Sequence, residues 1–126
     1  MSKLSAPVGA IVRVWFLESE DILKPGPKFR PCLVIAEEVR NGRPMVLVVY
    51  GTSQNTDWSG NTEVVVNPDG YKVIKAATKF CFQRAFWLPL QTKYFLSNGR
   101  QPLPENLRRE HIDLCKRPLQ ASNLFR

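Results

Sequence analysis

Cysteines are few in this sequence, and their positions exclude two kinds of small scaffold. Cys32, Cys81 and Cys115 are far apart and odd in number. A disulfide framework needs a denser, even set of cysteines, and a zinc site needs closely spaced ligand pairs. We therefore expect free thiols in a reducing cytoplasm, with no metal and no cofactor.

Long apolar runs are also missing. No stretch approaches the roughly 18 apolar residues of a membrane-spanning helix. The opening residues, MSKLSAPVG, lack the apolar core of a secretion signal. We expect an intracellular protein with no membrane partner.

Acidic residues are scarce relative to basic ones. Eleven Asp and Glu stand against eighteen Lys and Arg, so the formal net charge is +7 and the pI is near 9.7. This excess disfavours a cationic partner and favours a polyanion. Nucleic acid is the first candidate, and an acidic protein segment is the second.

The apolar segments predict one mainly β domain over residues 1–126. A chain of 126 residues with 44% hydrophobic content can form one packed core but not two ordinary ones. Asn41-Gly42 and Pro68-Asp69-Gly70 predict the turns of two hairpins. The predicted strands cover 9–17, 30–39, 44–54, 62–67, 71–76 and 78–90. Residues 18–29 and 53–61 predict exposed loops, the second around Trp58.

A helical period replaces the strand pattern near the C-terminus. Leu107, His111, Leu114 and Cys115 fall on one stripe of a helix over about 104–117, which we expect to end before Pro118. A short polar tail follows. Short strands with one terminal helix predict a small, strongly bent antiparallel barrel.

Three segments, in this order, resemble the MazF/PemK family of toxin endoribonucleases. They are Gly9-Ala10-Ile11-Val12, the strand Phe29–Ile35 with its Arg-Pro pair, and the strand end Val48–Gln54 with its Thr-Ser-Gln. The resemblance covers roughly residues 8–90. It implies a homodimeric, SH3-like barrel that cuts single-stranded RNA without a metal and is held inactive by a cognate antitoxin of a type II system.

The resemblance also implies site residues. Arg30 and Thr52 match the catalytic pair of that family, and Lys79 matches its third, basic position. Cys81 stands where the family has an acidic residue, so no general base is evident. The only histidine, His111, lies in the predicted helix, where packing is the expected role.

The chemistry of RNA cleavage gives Arg30 an independent reason to be catalytic. Without a metal, the ribose 2′-hydroxyl attacks its own phosphate, and the protein must stabilise the charge that grows on the phosphate oxygens. The planar guanidinium of Arg30 suits this task, and Pro31 restricts the Arg30 backbone to extended geometry. The alternative is that Arg30 only caps its strand and extends into water. For Thr52 and Ser53, the alternative is a local bond to their own turn.

Other polar and aromatic residues are candidates for substrate binding. Ser53 and Gln54 follow Thr52, and Lys24, Lys28 and Arg84 carry charge that could line an RNA groove. Phe29 and Trp58 could stack on bases. Each lysine could equally belong to a solvated loop.

Two functional hypotheses remain open at the level of the sequence. The first is a toxin-like endoribonuclease that uses Arg30, Thr52 and Lys79. The second is a barrel that has lost the reaction and binds RNA or a protein partner. Cys81 could act as a base only if neighbouring cations depressed its pKa; otherwise it is an inert member of its strand.

Overall fold

The computed structural model describes residues 4–16, 26 and 28–124, so Lys24 and most of the predicted loop 18–29 lie outside the described residues. Strands dominate the described part of the chain, and two helices follow the fifth strand. The strands are β1 Ala10–Trp15, β2 Phe29–Arg40, β3 Arg43–Thr52, β4 Glu63–Val66, β5 Thr78–Pro89 and β6 Glu105–Asn106. The helices are α1 Thr92–Phe95 and α2 Arg109–Ser122.

The six strands form one antiparallel sheet in the order β4-β5-β3-β2-β1-β6. The sheet curls into a half-barrel, which confirms the predicted mainly β class with a C-terminal helix. Apolar side chains pack on both of its faces. One core contains Val12, Val14 and Phe16, and the other contains Ile11 and Leu33. This explains why the β1 sequence is almost continuously apolar, since both faces of the strand are covered.

The Asn41-Gly42 hairpin is confirmed. Both residues have positive φ angles, 53° and 77°, and they join Arg40 to its partner Arg43 across the β2–β3 ladder. Two consecutive positive φ angles match the right-handed twist of the flanking strands, and Asn-Gly adopts them at low cost.

The second predicted hairpin is wrong. Residues 71–76 form no strand, and β4 pairs instead with β5, in the register Glu63 opposite Cys81. Tyr71, Val73 and Ile74 are nevertheless buried. The amides of Lys72 and Val73 donate to the carboxylate of Glu105 on β6, rather than to a neighbouring strand. The apolar residues of this segment therefore indicate that it is buried, but they do not indicate that it pairs as a strand.

The C-terminal helix exists, but its predicted bounds are wrong. It begins at Arg109 rather than 104 because Glu105 and Asn106 pair with β1 as strand β6. It also continues through Pro118, whose buried ring lies on the inner face with Cys115. Leu114, predicted on the apolar stripe, is 57% exposed. Neither helix of the described residues has the length and apolar character needed to cross a membrane.

Candidate functional site

The three predicted catalytic residues lie in one row across three adjacent strands. Thr52 on β3 is the direct partner of Lys79 on β5. Cys32 on β2 is the partner of Tyr50, so the same register continued by two residues brings Arg30 opposite Thr52. Neighbouring strands are roughly 5 Å apart. The fold therefore brings together three residues that are distant in the sequence.

Arg30 has no acidic partner among the described residues. Its guanidinium carbon lies 5.1 Å from the centroid of the Tyr50 ring, and none of the ion pairs within the described residues involves it. Tyr50 is only 8% exposed and belongs to the first core. The ring is thus a fixed support that orients the guanidinium without neutralising it.

A bulge in β5 brings a second guanidinium to the same ring. Val49 pairs with Ala85 but the next residue, Tyr50, pairs with Cys81, so three residues of β5 have no partner on β3. Phe82, the first of these three residues, packs in the second core, whereas Phe86, which follows them, packs against the first core on the other face of the sheet. Because the bulge reverses which face the even-numbered residues occupy, Arg84 lies over Tyr50, with its guanidinium carbon 3.7 Å from the ring centroid.

The hydroxyl of Thr52 contacts its own turn. The backbone amide of Gln54 donates to Thr52 Oγ1 at 3.2 Å, which is the local bond expected of a strand-end hydroxyl. No acceptor for the Thr52 hydroxyl proton is found in the part of the chain that the structure describes. Ser53 and Gln54 are exposed beside it. Their role in substrate binding stays a prediction.

Gly51 sets the close approach of β2 and β3 below this row. A Cβ atom on Gly51 would lie 2.3 Å from the backbone oxygen of Pro31 and 3.0 Å from a ring carbon of Phe80. A side chain therefore cannot fit here unless the strands separate. The glycine keeps the strand ends that carry Arg30 and Thr52 in contact.

Lys79 is engaged by protein groups. It is 6% exposed, and its Nζ donates to the backbone oxygens of Asn55 at 3.2 Å and Trp58 at 3.4 Å. Glu63 Oε2 lies 3.8 Å from the same nitrogen, and the Trp58 ring centroid lies 5.3 Å away. These contacts hold the loop 53–61 against the sheet. Trp58 itself is 66% exposed, so the expectation of an exposed aromatic loop residue is confirmed.

Glu63 is a carboxylate that the sequence analysis missed. It is the cross-strand partner of Cys81, and its Oε2 accepts a hydrogen bond from Cys81 Sγ at 3.6 Å. Its Oε1 accepts the amide of Gly60 at 2.8 Å. No sequence signal marks this role, because it depends on β4 pairing with β5.

The thiol of Cys81 is protonated at neutral pH. Burial raises its pKa to about 11, and the nearby carboxylate of Glu63 adds to this effect. A protonated thiol that donates to Glu63 cannot accept a proton from a substrate. The geometry therefore favours the inert alternative for Cys81.

A basic groove lies at the mouth of β2. It encloses about 360 Å³, and the charged residues that line it, among those the structure describes, are Arg13, Lys28, Arg30 and Lys75. Ser53 and Phe29 also line it, and the Phe29 ring lies 4.8 Å from the Trp15 ring, centroid to centroid. Arg13 was visible in the sequence as the single charge in an apolar strand. Lys75 gave no such signal, because its segment was predicted as a strand.

His111 has the packing role expected from the sequence. It is partly buried on α2, and its Nδ1 lies 2.7 Å from the hydroxyl of Tyr71. This contact joins α2 to the irregular segment 71–76, away from the row of Arg30. Within the described ranges, no three His, Cys, Asp or Glu residues are grouped so that they could hold a metal ion.

No family model matches this chain, and no curated protein is significantly similar to it. The assignment of a function therefore depends on the chemistry of the site. Two guanidiniums on one buried ring, a strand-end hydroxyl and a basic groove beside them form an arrangement suited to binding phosphate groups.

Proposed function

We propose that this protein is a metal-independent endoribonuclease that cleaves single-stranded RNA, with the activity of a MazF/PemK-type toxin. The observation that carries the proposal is Arg30, which has no acidic partner among the described residues and is supported by the ring of Tyr50. Arg84 on the same ring and Thr52 in the same row add to the support.

The proposed reaction is an internal transfer at one phosphate of the RNA. The 2′-oxygen forms a bond to phosphorus, the bond from phosphorus to the 5′-oxygen breaks, and the products are a 2′,3′-cyclic phosphate and a 5′-hydroxyl. Arg30 and Arg84 bind the non-bridging oxygens, on which negative charge grows in the transition state. The hydroxyl of Thr52 donates to the phosphate and orients it.

Among the described residues, this site has no positioned general acid or base for proton transfer. Cys81 keeps its proton at neutral pH, and the ammonium of Lys79 is held by the loop 53–61. In the proposal, water takes the proton of the 2′-hydroxyl and another water protonates the departing 5′-oxygen. Because a positioned general acid or base contributes roughly 100-fold or more, we expect slow cleavage.

The biological setting is part of the same proposal. We infer a cytoplasmic toxin that acts as a homodimer and is inhibited by a cognate antitoxin. Three free thiols support a reducing compartment, and the net charge of +7 supports an RNA substrate or an acidic protein partner. The exposed apolar side chains of Ile112 and Leu114 on α2 are compatible with a protein interface.

The test is an RNA cleavage assay in EDTA. We expect cuts that end in 2′,3′-cyclic phosphate and that disappear in Arg30→Ala. The matched control is Arg40→Ala, because the Arg40 guanidinium also lies over an aromatic ring, 4.8 Å from the centroid of Trp87, but near the distant hairpin. Cleavage that survives Arg30→Ala, or that requires a divalent metal, would contradict the proposal.

A second candidate function is a barrel that binds RNA, or a protein, without cutting it. The observation that favours it is the absence, among the described residues of the row, of a free proton acceptor, given the protonated thiol of Cys81. This candidate predicts that a gel-shift assay retains intact RNA after long incubation. Recovery of cyclic-phosphate ends from the retained RNA would exclude it.

A further inference from the structure

Arg13 is a half-buried cation without an opposite charge among the described residues. Its guanidinium donates to two neutral oxygens, the backbone carbonyls of Phe29 at 2.7 Å and Val73 at 3.2 Å. Burial lowers its pKa, which reports the cost of removing the charge from water. None of the ion pairs within the described ranges involves it. An anion that binds next to this guanidinium would lower the free energy of the protein.

Three further cations share the groove with Arg13. Lys28, Arg30 and Lys75 line it, and no Asp or Glu does so among the described residues. The charges of Arg13, Lys28 and Lys75 around a space of about 360 Å³ repel one another, and no carboxylate of the described residues at the groove offsets this repulsion. The simplest physical reason to keep such an arrangement is an anionic ligand that cancels the repulsion.

The uncharged lining of the groove fits a phosphate group joined to a sugar and a base. Ser53 offers a hydroxyl, and the Phe29 ring, supported by Trp15, offers a flat apolar wall. Arg30 also lines the groove, but its guanidinium lies over the Tyr50 ring together with that of Arg84. Tyr50 belongs to the first core, whereas Ile74 in the groove lining belongs to the second, so the ring and the groove lie on different faces of the sheet.

We propose that the basic groove is a second phosphate subsite, separate from the one formed by Arg30 and Arg84, which binds a phosphate group of a single-stranded polynucleotide. Arg13, Lys28 and Lys75 are its binding residues. The identity of the strand as a substrate rests on the proposed function. The proposal that the groove binds a phosphate group does not, since it depends on the charges and the lining of the groove.

The experiment measures binding by the full-length protein to a labelled single-stranded DNA oligonucleotide. DNA lacks the 2′-hydroxyl, so binding is measured without cleavage. The test variant is Lys75→Gln, and the matched control is Lys72→Gln, an exposed lysine of the same segment that does not line the groove. Both variants remove one positive charge. Thermal melts of both verify that they remain folded.

We expect Lys75→Gln to weaken binding at least fivefold and Lys72→Gln to change it less than twofold. The slope of log K against log salt concentration should fall by about one in Lys75→Gln, as expected when one phosphate contact is lost. Lys28→Gln should behave like Lys75→Gln. Equal losses in Lys75→Gln and Lys72→Gln would indicate a general charge effect and overturn the subsite.

A second arm uses inorganic pyrophosphate to separate the two sources of a phosphate group. Pyrophosphate that raises the melting temperature of the wild type, but not of the Lys28→Gln/Lys75→Gln variant, supports the groove as a phosphate site. Pyrophosphate binding without any oligonucleotide binding would overturn the proposal of a polynucleotide strand.

The failure of the subsite and the failure of the proposed function give different results. If the wild type does not cut RNA but Lys75→Gln still weakens DNA binding selectively, the groove is supported and the nuclease is not. If Arg30→Ala abolishes cleavage while Lys75→Gln and Lys72→Gln bind DNA equally well, the nuclease is supported and the groove is not.

Discussion

Arg30 and Lys79 occupy the same row of the sheet, on either side of Thr52, but their environments differ. Lys79 is buried and contacts two backbone oxygens, Glu63 and the ring of Trp58. Arg30 contacts the ring of Tyr50 and no acid among the described residues. The cross-strand partner on the outer strand is a valine for both cations, Val14 on β1 for Arg30 and Val65 on β4 for Lys79. The difference comes from the loop 53–61, whose carbonyls accept from Lys79, and from Glu63, two residues along β4 from Val65.

This contrast separates a cation that stabilises the fold from one that is available to a ligand. A buried ammonium with oxygen partners contributes to stability and is costly to remove. A guanidinium supported by a ring contributes little to stability, and in the proposed function its charge binds the substrate. Four variants break or sharpen the comparison.

The largest effect is expected for Arg30→Ala on RNA cleavage. Losing one group that binds the charge of the transition state lowers a rate by about 100-fold or more. The melting temperature should change little, because a cation on an aromatic ring contributes about 1 kcal/mol or less at a partly exposed site. Single-turnover cleavage and a thermal melt measure the two quantities. A large loss of stability would show that Arg30 is structural.

Lys79→Met should have the opposite profile. Its removal leaves the carbonyls of Asn55 and Trp58 without their common donor and the carboxylate of Glu63 without its ion-pair partner. We expect a loss of about 2–3 kcal/mol in the free energy of unfolding, measured by urea denaturation. Lys72→Met is the exposed control and should lose less than about 0.5 kcal/mol. If Lys79→Met keeps full stability but loses cleavage, Lys79 is catalytic as the resemblance implies.

Glu63→Gln tests how much the carboxylate near Lys79 contributes, and we expect a smaller loss of stability than for Lys79→Met. Glutamine keeps an oxygen for the amide of Gly60 but removes the charge opposite Lys79. A loss of about 1 kcal/mol in the free energy of unfolding is expected, because the side chain is partly exposed and the pair is long. A loss as large as that of Lys79→Met would mean that the ion pair, rather than the loop carbonyls, dominates.

The smallest effect at neutral pH is expected for Cys81→Ala, which should cut RNA at nearly the wild-type rate. The variant should differ at alkaline pH. The folded state holds the thiol proton more tightly than the unfolded chain, since burial raises the pKa of Cys81 to about 11 from 9.0. Stability contributed by this thiol is therefore present below about pH 9 and falls as the pH rises towards 11.

Denaturation at several pH values checks this sign. The wild type should lose stability between pH 9 and 11, and Cys81→Ala should lose less over the same range. Cys32 and Cys115 contribute in the same direction, because burial raises their pKa values to about 12 and about 11. A collapse of the cleavage rate in Cys81→Ala at pH 7.5 would show that the thiol takes part in the reaction.

Local signals predicted the parts of the fold that depend on neighbouring residues. Asn41-Gly42 predicted its hairpin because the turn chemistry is contained in two residues. The segment 71–76 was predicted as a strand because of its apolar residues, which are buried, but it pairs with no strand: β4 pairs with β5, and the amides of Lys72 and Val73 donate to the Glu105 carboxylate. Likewise, Pro118 was expected to end α2, but its buried position on the inner face keeps it within the helix.

In the candidate site too, some features were predicted from the sequence and others were not. Arg30, Thr52 and Lys79 were predicted, and the strand register brings them into one row. The partners of Lys79, the proximity of Glu63 to Cys81 and the position of Arg84 over Tyr50 were not predicted. Each depends on a cross-strand register or on the bulge in β5, and neither feature has a signature in one segment of sequence.

By itself, the sequence determined the mainly β class, the first hairpin, the terminal helix and the basic charge. The hairpin, the helix and the β class follow from turn residues and from the period of apolar residues, which depend on neighbours in the sequence. The basic charge follows from composition, which is a sum over the chain. Only the tertiary structure decided which cations are neutralised and which stay available. That outcome depends on which strands become neighbours, because a charge is paired or left free by groups that are distant in the chain and adjacent in space.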